Sequence, residues 1–243
     1  MVLVNGGHRT AQTREARMTG MLASVSKLDE ALKILNFEVD IIDLKQPSQG
    51  ALGALDTMTV ARIVKAINGQ CPISATVGDL PMIPEVIVSA VTDMAATGVD
   101  YIKIGFFPGG DWQGTLDALT PLTQAGLALI GVMFADSEPE LHSVAAFKQA
   151  GFKGVMLDTM DKSSGSLPHV LPDDAIAGFV AKCNELKLIC GLAGSLRVED
   201  VPGLLRHKPD YLGFRGALCR RHDRTSHLDD DAILAVKKAF LQG

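Results

Sequence analysis

Cysteine is scarce, and the four present, Cys71, Cys183, Cys190 and Cys219, form no CxxC pair. That spacing excludes a disulfide framework or a cysteine-held zinc site and suits buried thiols in a reducing compartment. Positive charge is short as well, with 23 Lys+Arg against 28 Asp+Glu and a net charge of −5. A nucleic-acid partner is therefore not expected, because phosphate-backbone binding needs the opposite balance. No apolar run approaches the roughly 18 residues that cross a bilayer, and the N-terminus lacks the apolar core of a signal peptide. A cytoplasmic chain with no membrane partner is expected. His142, His169, His207 and His227 show no HExxH-type spacing, so no metal is expected either.

What is present is apolar material in quantity. Of 243 residues 47% are hydrophobic and 21% charged, enough for a sizeable core and too little charge for wholesale disorder. No low-complexity linker divides the chain, so one domain is expected over residues 21–243. Residues 1–20 are polar and aperiodic, with His8, Arg9, Arg14, Glu15 and Arg17 crowded together, and are expected to form a loose extension.

From Met21 onward, apolar β-branched runs recur at Met21–Val25, Val39–Leu44, Ile73–Val77, Tyr101–Phe106, Leu127–Phe134, Gly154–Asp158, Leu188–Leu192 and Tyr211–Phe214. Helical spacing lies between them. Leu28, Ala31, Leu32 and Leu35 follow the i, i+3, i+4, i+7 rule, and so do the sets beginning at Val60, Ile87 and Ile176; Ile233, Val236 and Phe240 mark a last helix. Three further helices, near Leu116–Thr123, Glu138–Ala150 and Val198–Leu205, rest partly on helix-start residues such as Asp111 and Ser137. Eight strands buried on both faces, each followed by a helix, predict a closed parallel (β/α)8 TIM barrel, with an open doubly wound sheet as the alternative.

In such a barrel the chemistry sits at the C-terminal ends of the strands. The second strand ends Asp43-Leu44-Lys45, and a period of two puts Asp43 and Lys45 on the face of Ile41, the barrel lumen. Lys103 lies between Ile102 and Ile104, where a charge is costly unless paired or used. The sixth strand ends at Asp158 and runs into a polar loop carrying Lys162. Each residue has a bland reading: the lysines as solvated strand-end charges, the aspartates as their structural partners. Their joint occurrence on even-numbered strands favours function. Ammonium groups crowded at one mouth repel one another and favour a neutral amine among them, which is what attack on a carbonyl requires. Asp43 or Asp158 is then expected to move protons.

The last two strands carry a second signal, Gly194-Ser195 after the seventh and Arg215-Gly216 after the eighth. Glycines there let backbone N–H groups approach an anion, and this fold commonly holds phosphate at that place. Gly194, Ser195, Arg215 and Gly216 are therefore candidate phosphate ligands, although tight turns and a surface arginine would explain them as well. The basic loop of Arg220, Arg221, His222 and Arg224 suits a second phosphate or a neighbouring subunit, with solvated surface as the default reading, and Asp229-Asp230-Asp231 reads as a helix N-terminus.

The segments from Asp40 through Lys45 to Gly53, Ser74 to Asp79, Tyr101 to Gly105, Met156 to Lys162, Gly191 to Ser195 and Gly213 to Cys219 together resemble the (5-formylfuran-3-yl)methyl phosphate synthase family, also called 4-(hydroxymethyl)-2-furancarboxaldehyde-phosphate synthase. The resemblance runs from about Met21 to the C-terminus. It implies a class I aldolase-like lyase that joins two molecules of glyceraldehyde 3-phosphate, by lysine Schiff-base chemistry, into a phosphorylated furan aldehyde for methanofuran-type cofactors. Carried over by position, the family's essential residues fall on Asp43, Lys45, Lys103, Asp158 and Lys162. An imine supplies its own electron sink, so no cofactor is expected. Two other readings stay open: a barrel decarboxylase or epimerase using an Asp/Lys pair, and a non-catalytic barrel that binds a sugar phosphate. The apolar content is compatible with a homo-oligomer, but no helix stripe singles out an interface.

Overall fold

The computed structural model describes residues 18–137 and 143–241. Eight strands, β1 (Gly20–Val25), β2 (Ile41–Leu44), β3 (Ile73–Thr76), β4 (Tyr101–Gly105), β5 (Leu129–Phe134), β6 (Gly154–Asp158), β7 (Ile189–Leu192) and β8 (Tyr211–Phe214), close in sequence order into a barrel. All pairings are parallel, including the seam between β1 and β8. Near-continuous apolar strands covered on both faces suit an open doubly wound sheet as well, and the pairing of β1 with β8 is what makes this one a closed barrel.

The core has two layers. Inside the barrel, Leu22, Ile41, Ile130, Val132, Met156 and Tyr211 fill the lumen. Outside, alternate strand residues such as Ile42, Leu44, Ile102, Ile104, Val155 and Leu157 pack against the helices. Strand residues therefore alternate between two buried environments, which is why the strands read as unbroken apolar runs. Phe106, Phe147, Phe152 and Trp112 make an edge-on aromatic cluster behind β4 and β5. Gly131 makes room for it: a Cβ there would stand 2.3 Å from the Phe147 ring.

The helices are α1 (Leu28–Leu35), α2 (Thr57–Ile67), α3 (Pro84–Ala95), α4 (Trp112–Gln124), α5 (Val144–Gln149), α6 (Leu167–Val170), α7 (Asp173–Glu185), α8 (Val201–Leu205) and α9 (Asp230–Phe240). Side-chain caps start three of them, with Asp56, Asp111 and Asp229 accepting from the N–H groups of Thr59, Gly114 and Ala232. Asp111 thus caps α4 as expected. Ser137 instead lies in a 3-10 turn, where its hydroxyl donates to the Phe134 carbonyl. The rest of the helix start expected from Glu138, with His142, lies outside the described residues.

Two connections differ from the sequence reading. Pro172 separates α6 from α7, and the segment Val198–Leu205 divides into a 3-10 turn and the short α8, with Pro202 in its first turn. The N-terminal boundary also shifts. Of the extension expected over residues 1–20, residues 1–17 lie outside the described residues. Thr19 and Gly20 are already tied to the barrel, through bonds to the carbonyls of Pro209 and Asp210. All four cysteines are buried, and no disulfide joins them. Among the described residues no helix is long and apolar enough to cross a membrane.

Candidate active site

Parallel strands bring every C-terminal strand end to one mouth, and a cavity of about 250 Å3 opens there. Lys45, Lys103, Asp158 and Lys162 line it together with Gly194, Ser195, Arg215 and Gly216. Asp43 lies beneath, fully buried.

Strand register places Ser24 of β1 beside Asp43 and Asp43 beside Ser74 of β3. The two hydroxyls donate to opposite oxygens of the carboxylate, at 2.8 and 2.7 Å. Lys103 adds a third bond at 2.9 Å. Burial alone would raise the Asp43 pKa, but the charges of Lys103 and Lys45 and the bonds from Lys103 and Ser74 outweigh it and hold the group below the usual carboxylate range. Asp43 is thus an anchored anion, and Lys103 is the cation it fixes.

Lys162 reaches back four residues to Asp158 Oδ1 at 2.5 Å and also bonds the Thr159 carbonyl. The same Oδ1 accepts the Thr159 N–H at 2.7 Å, while Oδ2 accepts no hydrogen bond from the described residues. Asp158, like Asp43, is pulled below its usual range: burial pushes upward, and Lys162 and Lys45 push down harder. The loop that carries Lys162 is held by Asp136, whose carboxylate accepts the N–H groups of Met160 and Asp161 at 2.7 to 2.9 Å.

Lys45 differs from the other two lysines. It is only 8% exposed, and among the described residues nothing accepts a hydrogen bond from its Nζ. Burial brings its pKa down from 10.5 to about 8, with Lys162 and Lys103 pushing the same way against the attraction of Asp158 and Asp43. At pH 7 about one-tenth of such a group is free amine, against roughly one part in 3,000 for an ordinary lysine.

Next to the lysines is a cluster of unspent amides. The N–H groups of Gly194, Ser195, Gly216 and Ala217 make no hydrogen bond to the described residues. Gly194 has φ +107°, and a Cβ there would lie 2.8 Å from Thr159 Cγ2, so only glycine suits the position. Ser195 follows in the left-handed region at φ +46°. Such a run of N–H groups at the ends of β7 and β8 fits an anion.

Arg215 departs from its expected part. Its Nε bonds the Arg224 carbonyl, its Nη1 bonds the Ser24 carbonyl and Glu30, and its Nη2 bonds Glu30 and the Ser226 carbonyl. All five N–H groups are spent inside the protein, which leaves none to donate to a phosphate. Arg215 instead joins the β8 loop to α1 through a buried pair with Glu30.

Sequence reasoning missed Ser24, Ser74, Glu30 and Asp136. The two serines carried a usable signal, each being a hydroxyl on the lumen-facing phase of an apolar strand. Glu30 and Asp136 carried none, since their partners come from distant chain segments. Among the described residues no group of three or more His, Cys, Asp or Glu is placed to hold a metal ion.

Residues 21–237 match the family described as 4-HFC-P synthase. The chain belongs to that family. A protein of Methylorubrum extorquens is 42% identical over 223 residues, covering 92% of each chain. The (5-formylfuran-3-yl)methyl phosphate synthase of Methanopyrus kandleri is 33% identical, covering 84% of this chain and 91% of its own. Among solved structures, phosphoribosyl anthranilate isomerase from Thermus thermophilus superposes with a TM-score of 0.64 at 12% identity, covering 91% of this chain and 98% of its own, a likeness of fold alone. As a member of the 4-HFC-P synthase family the chain is an enzyme, and its strand-end cavity is the candidate place of its chemistry.

Proposed function

We propose that this 4-HFC-P synthase family member condenses two molecules of glyceraldehyde 3-phosphate into the phosphate ester of 4-(hydroxymethyl)-2-furancarboxaldehyde, through an imine on Lys45. The observation that carries this reading is the division among the lysines: Lys103 and Lys162 are paired with acids, and Lys45 is buried, has no ion pair or hydrogen bond from its Nζ among the described residues, and is lowered to about pKa 8.

Lys45 Nζ attacks the aldehyde carbon of the first triose phosphate, and loss of water gives the imine. Once protonated, the imine draws electrons from the adjacent carbon and acidifies its C–H. Asp158 is the base suited to that proton, because its charge is the strongest attraction felt by Lys45 and its Oδ2 is unspent. Asp43 is not suited, since both of its oxygens are already engaged. The resulting enamine forms the new C–C bond with the aldehyde of the second triose phosphate. Lys162, within reach of Asp158, supplies positive charge to the oxygen that becomes an alkoxide. Lys103, fixed on Asp43, holds positive charge against the inner wall and helps lower the pKa of Lys45.

The atoms balance. Two C3 phosphates supply the six carbons of the furan, its formyl carbon and its phosphoryloxymethyl carbon, and one phosphate and two waters leave. The unspent amides of Gly194, Ser195, Gly216 and Ala217 fit the phosphate of the first substrate.

The test is stoichiometric. Purified protein given glyceraldehyde 3-phosphate alone is expected to consume two equivalents and release one furan aldehyde and one inorganic phosphate. Turnover of the triose with no release of inorganic phosphate would overturn this reading.

A further inference from the structure

We infer that Arg224 recognises the phosphate of the second triose phosphate and so selects a phosphorylated aldehyde as the acceptor. The inference rests on the two-substrate reading above. That reaction brings two phosphate dianions into one cavity of about 250 Å3. One cluster of backbone amides accounts for one of them. The other needs a cation with donors to spare.

The cations that line the cavity can be taken in turn. Lys103 is held by Asp43, and Lys162 by Asp158. Arg215 has spent every N–H on Glu30 and backbone carbonyls. Lys45 must be a neutral amine to react. Arg197 and His222 also line the cavity but are exposed, so solvent and salt screen them more than a half-buried side chain.

Arg224 remains. It is half-buried, lines the cavity, and among the described residues spends one N–H, from Nη2 to the Gly50 carbonyl at 2.8 Å. Four of its five N–H groups are therefore unspent, and a planar guanidinium so placed suits the two-point grip that phosphate oxygens accept.

Its surroundings fix where that grip falls. The Arg224 carbonyl accepts the Nε of Arg215, so the buried Arg215–Glu30 pair holds the main chain from which the side chain projects. At the far end Gly50 belongs to the loop that follows Lys45. Asp79 clamps that loop by accepting the N–H groups of Ala51 and Leu52, both at 2.7 Å. Gly50 itself has φ +107°, and a Cβ there would fall 2.0 Å from Asp79 Oδ2. Arg224 thus spans from the β8 loop, where its Cβ would stand 4.0 Å from a Cβ at Gly216, past the end of β1 to the β2 loop along the rim. Burial and the charge of Arg215 act against the protonated guanidinium, and the charges of Asp158 and Asp79 favour it.

The experiment compares wild type, Arg224→Ala and Arg224→Lys, each supplied with glyceraldehyde 3-phosphate, alone or with unphosphorylated D-glyceraldehyde as a competing acceptor. Product is scored for both aldehydes, and the Lys45 adduct is scored after borohydride treatment. Arg224→Ala is expected to raise the KM for condensation of glyceraldehyde 3-phosphate by about 10- to 100-fold, as loss of a charged hydrogen bond predicts. It is also expected to lose most of the preference for the phosphorylated acceptor while keeping the Lys45 adduct. Arg224→Lys restores a charge without the fork and should recover part of the preference, which separates recognition from folding. An unchanged KM and preference in Arg224→Ala would overturn the inference. So would loss of the adduct in that variant, which would place Arg224 on the first substrate. Absence of the adduct from the wild type would instead count against the imine, because the preference is read from product and does not depend on trapping.

Discussion

At the scale of single residues, Lys45 makes a thermodynamic statement as well as a chemical one. Its pKa in the folded protein, about 8, lies below the ordinary value of 10.5. Between those two values the unfolded chain binds more protons than the folded one, so this residue's contribution to stability rises with pH across that window. Below pH 8 the residue costs the fold on the order of 3 kcal/mol, the free-energy equivalent of the shift. Replacing it with an apolar side chain of similar length removes that cost. Lys45→Met is expected to be more resistant to urea than wild type at pH 7, with the gain shrinking as pH rises from 8 to 10.5, and to form no product. A gain that stays constant over that range would show that the surroundings do not lower the pKa of this lysine.

At the scale of elements, the loop after β2, which follows Lys45, and the loop after β6, which carries Lys162, are each pinned by an acid from a neighbouring strand end. Asp79 after β3 holds the β2 loop, and Asp136 after β5 holds the β6 loop. Asp136→Ala would free the N–H groups of Met160 and Asp161 and loosen the segment that carries Lys162. A misplacement of about 1 Å at a reacting group can cost up to about 100-fold. We expect kcat for furan formation to fall on the order of tenfold or more while the melting temperature moves little, with Asp136→Asn, which keeps an acceptor, recovering part of the rate. A melting temperature that falls sharply with kcat unchanged would assign Asp136 to stability alone.

Charge against an apolar background was the part of the site legible in sequence. Lys103 stood out between Ile102 and Ile104, and Asp43 stood out because a period of two aimed it inward. Arg215 shows where that reading stops. Whether a guanidinium meets a ligand or a buried carboxylate depends on its partner, and Glu30 lies 185 positions away. The same limit hid Asp136 and left Arg224 undivided from its basic neighbours, between solvated surface, a second phosphate and a neighbouring subunit, because a loop residue's direction is set by tertiary contacts that its neighbours in sequence do not encode.

At the scale of the whole molecule, the eightfold alternation was legible because every strand is buried on both faces, while strand ends were less so. Val39 is apolar and reads as part of β2, yet the strand begins at Ile41, since Asp40 turns its carboxylate to the N–H of Met21. The barrel closes between β1 and β8, and the Arg215–Glu30 pair bridges that seam at the mouth. Removing one partner of a buried pair leaves the other uncompensated, typically about 3–5 kcal/mol. Arg215→Met is therefore expected to lower stability to urea by about that amount, with a much smaller proportional effect on the Lys45 adduct formed at saturating substrate. Stability near wild type together with a large rise in KM would return Arg215 to the role of a phosphate ligand.

The central claim is that one amine of the three at the mouth is left free to condense with an aldehyde. Borohydride reduction in the presence of glyceraldehyde 3-phosphate, followed by peptide mass spectrometry, addresses it most directly. A reduced triose phosphate adduct on Lys45, forming faster as pH rises toward 8, is the predicted result. Full turnover with no adduct, or an adduct confined to Lys103 or Lys162, would contradict it.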